Sequence, residues 1–134
     1  MRRLAAGLLL LSILLLFSLG ACSVAERPAS QKFVVFFQEW SAGLDDNAQG
    51  AISAAAGWAG QHPAQVVTVT GFAAPDGSQQ ANVALSRTRA QVVTDQLQRD
   101  GVANSRIRLT AKGPTDFTLA ATESRRVEIA VAGP

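Results

Sequence analysis

The chain has 134 residues, 48% of them hydrophobic, with twelve lysines and arginines against ten acids. Two of the basic residues and none of the acids fall in the first 21 positions, so removing that stretch leaves 113 residues carrying ten charges of each sign, the length of one domain. A neutral domain lacks the basic footprint of a nucleic-acid binder. A single cysteine, Cys22, excludes a disulfide framework and a cysteine-built zinc site, and a single histidine, His62, argues against a His-based metal centre or triad. No metal or cofactor is expected.

Met1-Arg2-Arg3 precedes an apolar run from Leu4 to Leu19 broken only by Gly7, Ser12 and Ser18. A charged start followed by such a run is the pattern of a secretory signal, and it falls short of the ~20 residues a transmembrane helix needs. The run ends in Leu19-Gly20-Ala21-Cys22. Gly20 and Ala21 are small enough to enter a peptidase cleft, and Cys22 carries the one thiol of the chain, a group that can be acylated. This stretch resembles a bacterial lipobox, with a plain cleaved signal or an uncleaved anchor as alternatives. The expected division is therefore a lipoprotein signal peptide over 1–21, a lipidated N-terminus and tether over 22–32, and one domain over 33–134. Several acyl chains hold a protein stably on a membrane, whereas one is marginal. By the same resemblance, Ser23 in place of an inner-membrane-retaining Asp implies sorting to the outer membrane.

In chain order, Ser23 to Lys32 is polar, contains Pro28 and reads as tether. Phe33 to Phe37 is β-branched and aromatic, a first strand. Asp45 or Asp46 can cap a helix through Ala48, Ile52, Ala55, Ala56 and Ala59, stopped by Pro63 and weakened by Gly50, Gly57 and Gly60. His62 reads as a cap at its C-terminal end. Val66 to Thr70 is a second strand, Gly71 opens a loop through Pro75-Asp76-Gly77, and a second helix runs from about Gln79 to Asp100. Ile107–Lys112 and Arg126–Ala132 complete four strands. Two βα units followed by two strands predict an α/β sandwich (α+β), two helices on one mixed sheet.

Stepping about 100° per residue along the second helix puts Leu85, Ala90, Val93 and Leu97 on one face and Arg87, Gln91, Thr94 and Asp95 on the other. Asn82, Ser86 and Arg89 share the apolar face. An unpaired buried guanidinium is expensive, so Arg89 needs a carboxylate partner or water. Either Asn82 and Arg89 line a groove beside the Gly71–Gly77 loop, or Arg89 closes an internal ion pair and Asn82 braces the loop.

Asn82-x-x-Leu85-Ser86-x-x-Arg89-Ala90-x-x-Val93-x-x-x-Leu97 is similar, position for position, to the signature of the OmpA-like peptidoglycan-binding family. The likeness extends through Ser105-Arg106-Ile107 and Arg125-Arg126-Val127-Glu128-Ile129, from about Phe33 to Val131. With the lipobox, the chain looks like a small lipoprotein of the peptidoglycan-associated (Pal-like) type. That resemblance implies a βαβαββ domain that holds the peptide stem of peptidoglycan non-covalently by its diaminopimelate end. It implies a non-enzymatic link between outer membrane and cell wall, facing the periplasm, with other envelope proteins as further partners. The family's ligand arginine maps onto Arg89 and its asparagine onto Asn82; a guanidinium suits bidentate pairing with a carboxylate.

Two departures stand out. Ala74 replaces the acid that meets the diaminopimelate ammonium three positions after the strand-end glycine, and Trp40 stands where the family has an acid after the first strand. Asp76 either supplies a displaced carboxylate or is a turn residue of Pro75-Asp76-Gly77. If the carboxylate is missing, the fold persists as a protein-interaction or structural module without peptidoglycan affinity. Trp40 either plugs the strand end or stacks on a ligand, the former being favoured. Arg125 and Arg126 either reach a ligand carboxylate or pair with Glu123 or Glu128. No nucleophile–base pair supports a hydrolase.

Overall fold

The computed structural model describes residues 29–114 and 121–133; the leader, Cys22 and the tether as far as Pro28 lie outside the described residues. Strand β1 (Gln31–Phe36) leads to helix α1 (Asp46–Gln61), strand β2 (Val66–Ala73) and helix α2 (Gln79–Arg99). A 3-10 turn (Asn104–Arg106) opens β3 (Ile107–Pro114), and a one-turn helix α3 (Ala121–Ser124) precedes β4 (Arg126–Ala132). The predicted α+β order is present, with α3 added. The sheet order is β1-β4-β2-β3: β4 lies antiparallel between β1 and β2, and β3 is parallel to β2. β1 begins two residues earlier than its apolar run, because Gln31 and Lys32 pair with Val131 and Ala130.

Alternation along β2 and β4 sets the layers. Val67, Val69, Val127, Ile129 and Val131 are buried in one cluster with Ile52, Ala55 and Ala59 of α1 and Ala90, Val93 and Leu97 of α2. Each fully buried valine, isoleucine or leucine contributes roughly 1.5–3 kcal/mol, and the alanines of α1 let that helix lie close to the sheet.

The ends of α1 are closed as its sequence predicts. The Asp45 side chain accepts from the Ala48 N–H at 2.8 Å. At the other end the His62 imidazole donates from Nδ1 to the Trp58 carbonyl at 2.8 Å and stacks on the Trp58 ring at 4.3 Å. Arg106, from the 3-10 turn, donates to the carbonyls of Ala59, His62 and Gln65 at 2.9–3.0 Å, satisfying acceptors that a helix end leaves over.

Helix α2 buries a wider arc than its apolar stripe. Thr94, expected to face away, is buried, because α2 packs against α1 as well as the sheet. β2 likewise continues past Thr70 to Ala73 through a bulge at Gly71/Phe72, opposite which Lys112 is the extra residue. Gly71 is a packing position. A Cβ there would overlap the Ser86 carbonyl of α2 and meet Ala90 Cβ at 3.2 Å. Across the bulge, Gly113 has φ +72°, and its N–H donates to Ser86 Oγ at 3.1 Å. Two strands without side chains at this point let the first half of α2 press onto the sheet, which fixes the depth of Ser86 and of Arg89 one turn later.

Candidate functional site

Beyond β1 the chain continues through Phe37, buried under α2, into the exposed stretch Gln38-Glu39-Trp40. Beyond β2 it runs through Ala74 to Gly77 and into α2, where Ser78 caps the helix by accepting from the Ala81 N–H. Asn82, in the first turn of α2, donates from Nδ2 to the Asp76 carbonyl at 2.8 Å and so fixes the loop. The two loops, the start of α2 and Arg125 enclose a small open cleft. Its lining is Glu39, Trp40, Ala74, Asp76, Asn82, Leu85, Arg89 and Arg125. It lies at the end where β1 leaves the sheet, away from Gln31.

Arg89 is fully buried, with 0% exposure, and its partners are backbone carbonyls where a carboxylate had been one of the expectations. Nε donates to Ser41 at 2.7 Å and Nη2 to Gln38 at 3.0 Å, while the guanidinium carbon stands 5.2 Å from the centre of the Phe37 ring. Nη1 is buried and has no hydrogen-bond partner among the described residues. Burial, with repulsion from Arg125 added, lowers the Arg89 pKa to about 10, so the group stays cationic at neutral pH. A charged donor left unpaired this deep is costly, and an arriving carboxylate would remove that cost.

The other residues singled out by sequence divide. Asn82 and Asp76 meet Arg89 at the cleft, Asn82 as the brace of the loop and Asp76 with its side chain exposed. Arg126 lies elsewhere. It is the first residue of β4, bonded from Nε to Glu128 at 2.9 Å and laid 4.1 Å over the Phe72 ring. Its neighbour Arg125, one residue before the strand, turns the opposite way, lines the cleft and donates to the Phe37 carbonyl at 3.3 Å. Trp40 is 61% exposed and does not plug the strand end. Glu39, one residue before it, is an acid at the cleft that sequence reasoning passed over; its position two residues past Phe37, the last buried aromatic, was the available signal.

Comparison with known proteins accords with this architecture. The OmpA family profile matches residues 36–129. The chain is 31% identical over 101 residues to the peptidoglycan-associated lipoprotein of Agrobacterium fabrum, a match covering 71% of this chain and 57% of that relative's length. Among solved structures it is similar in fold to the peptidoglycan-associated lipoprotein of Burkholderia pseudomallei (TM-score 0.69, 22% identity, 74% of this chain and 89% of that one). It is similar also to the OmpA-like domain of FopA1 from Francisella tularensis (TM-score 0.72, 22% identity, 84% and 78%). The periplasmic domain of Helicobacter pylori MotB shares the fold at TM-score 0.65 and 17% identity, over 81% and 78%. With its sheet order, its α2 signature and a family match running from the end of β1 into β4, the chain belongs to the OmpA family.

Proposed function

We propose that this domain binds the peptide stems of peptidoglycan without making or breaking a bond, as the receptor end of an envelope lipoprotein anchored through Cys22 in the outer membrane. The observation that carries the reading is Arg89. It is a fully buried guanidinium in a residue that lines the cleft, with Nε and Nη2 bonded to backbone carbonyls and Nη1 without a partner among the described residues. Such a group favours a carboxylate over any neutral ligand. The stem's diaminopimelate carboxylate would lie against Arg89, with Asn82 ordering the loop beneath it and Asp76 or Glu39 within the same cleft for the ammonium. The OmpA-family domain and its peptidoglycan-associated relatives support this association.

Co-sedimentation with purified sacculi tests it. Wild type should pellet and Arg89→Ala should remain in the supernatant; equal supernatant fractions for both would end the reading. Ala74, uncharged within the cleft, favours a second reading in which the module serves protein contacts only. A large gain from no detectable binding on Ala74→Asp would support that alternative.

A further inference from the structure

Three features mark Trp40. The residue is 61% exposed, so it contributes little to the core. Its backbone sits at φ +53°, the only non-glycine in the left-handed region among the described residues, a conformation that a bulky side chain adopts only where the surroundings impose it. And its ring reaches across the cleft mouth to the opposite loop: a Cβ on Gly77 would lie 3.3 Å from Trp40 Cη2. Trp40 is the third residue of a turn closed by the Ser41 N–H donating to the Gln38 carbonyl at 3.2 Å, and Arg89 donates to the carbonyls of the same two residues. The guanidinium at the cleft is therefore bonded to the turn that carries the indole.

We propose that Trp40 is a specificity-determining residue of this cleft, its indole face taking the ammonium of an amino-acid end whose carboxylate lies on Arg89. The inference rests on the binding reading above. Position 74, the other wall, carries no charge, and an indole is the strongest aromatic face for a cation. Glu39 and Asp76, the acids of the same cleft, add negative potential beside the indole, against the one further cation of the lining, Arg125. The class of ligand selected is a zwitterionic terminus, in preference to a plain carboxylate of the same length.

The test uses the full chain in detergent with two probes, meso-diaminopimelate and pimelate, which share a carbon chain and differ in the amines. With Trp58→Phe, Trp40 is the sole tryptophan of the two in the chain, and its emission should shift with diaminopimelate. Amide NMR titration should give diaminopimelate affinity several-fold above pimelate in wild type. Trp40→Ala should lose about 2- to 30-fold for diaminopimelate and little for pimelate, the range expected of a cation–π contact. Trp40→Gly, which accepts the positive φ and keeps the loop, should behave as Trp40→Ala, and Trp40→Phe should retain part of the preference. Unchanged discrimination in the Gly variant overturns the role of Trp40 while leaving sacculus binding and its loss in Arg89→Ala intact. Wild type that binds neither probe nor sacculi overturns both readings.

Discussion

The Arg89 side chain donates to the Ser41 carbonyl at 2.7 Å, across 48 positions of sequence. One helix residue thereby holds the loop that forms the far wall of its own cleft, so on the proposed function receptor and strut are the same side chain. Changes at Arg89 act on loop order as well as on ligand.

Arg89→Lys separates the two. A lysine keeps the charge but cannot present Nε and Nη2 together to Ser41 and Gln38. Amides 38–43 should exchange hydrogen at least several-fold faster in this variant, with global stability reduced by about 1–2 kcal/mol. Unaltered exchange across that loop would show that the two bonds do not order it.

The crossing of α2 over β2 should tolerate nothing larger than glycine. Gly71→Ala drives a methyl into the Ser86 backbone carbonyl, which has no side-chain freedom with which to yield, and should cost about 1–3 kcal/mol or more. Ser86→Ala strips the buried Gly113 N–H of its acceptor and should cost about 1–3 kcal/mol. Urea midpoints measure both.

Helix α1 can be improved. Gly50, Gly57 and Gly60 have helical backbone and open space, with nothing within 4 Å of where a Cβ would stand, so alanine at each should add about 0.5–1 kcal/mol. A thermal melt of the triple variant above wild type is the expected result, with sacculus binding unchanged, since none of the three lines the cleft.

Acid should weaken the domain partly through Glu128. Burial raises its pKa, but hydrogen bonds from Arg126 and Lys32, and their charges, outweigh this and hold it below the ordinary 4.5. A carboxyl whose folded-state pKa is depressed contributes stability above its unfolded value and loses that contribution as pH falls through the folded one. Glu128→Gln should therefore be less stable than wild type at neutral pH and fall off less steeply below pH 4.5. Parallel slopes in denaturation at about pH 3 to 6 would refute this.

The layers were legible in the sequence because period answers to burial: Val67 and Val69, or Val127, Ile129 and Val131, alternate only if one face is covered. The Asp45 and His62 caps were legible because side-chain chemistry writes them. The acceptors of Arg89 were not, since backbone carbonyls leave no trace in residue identity. Which of two adjacent arginines reaches the cleft hung on where β4 starts, and a shift of one residue reverses the face. The exposure of Trp40 followed from a positive φ that nothing in its own identity announces.

The placement of β1 has a mechanical reading. The chain enters β1 at Gln31 and leaves it at Phe36 beside the cleft, so on the proposed function a load between a lipid-held N-terminus and a wall-bound cleft would run along the strand. The β1–β4 ladder, from Gln31–Val131 to Phe36–Arg126, has hydrogen bonds perpendicular to that line. Tension is then met as shear by every rung at once, where a strand peeled from its end would give way rung by rung.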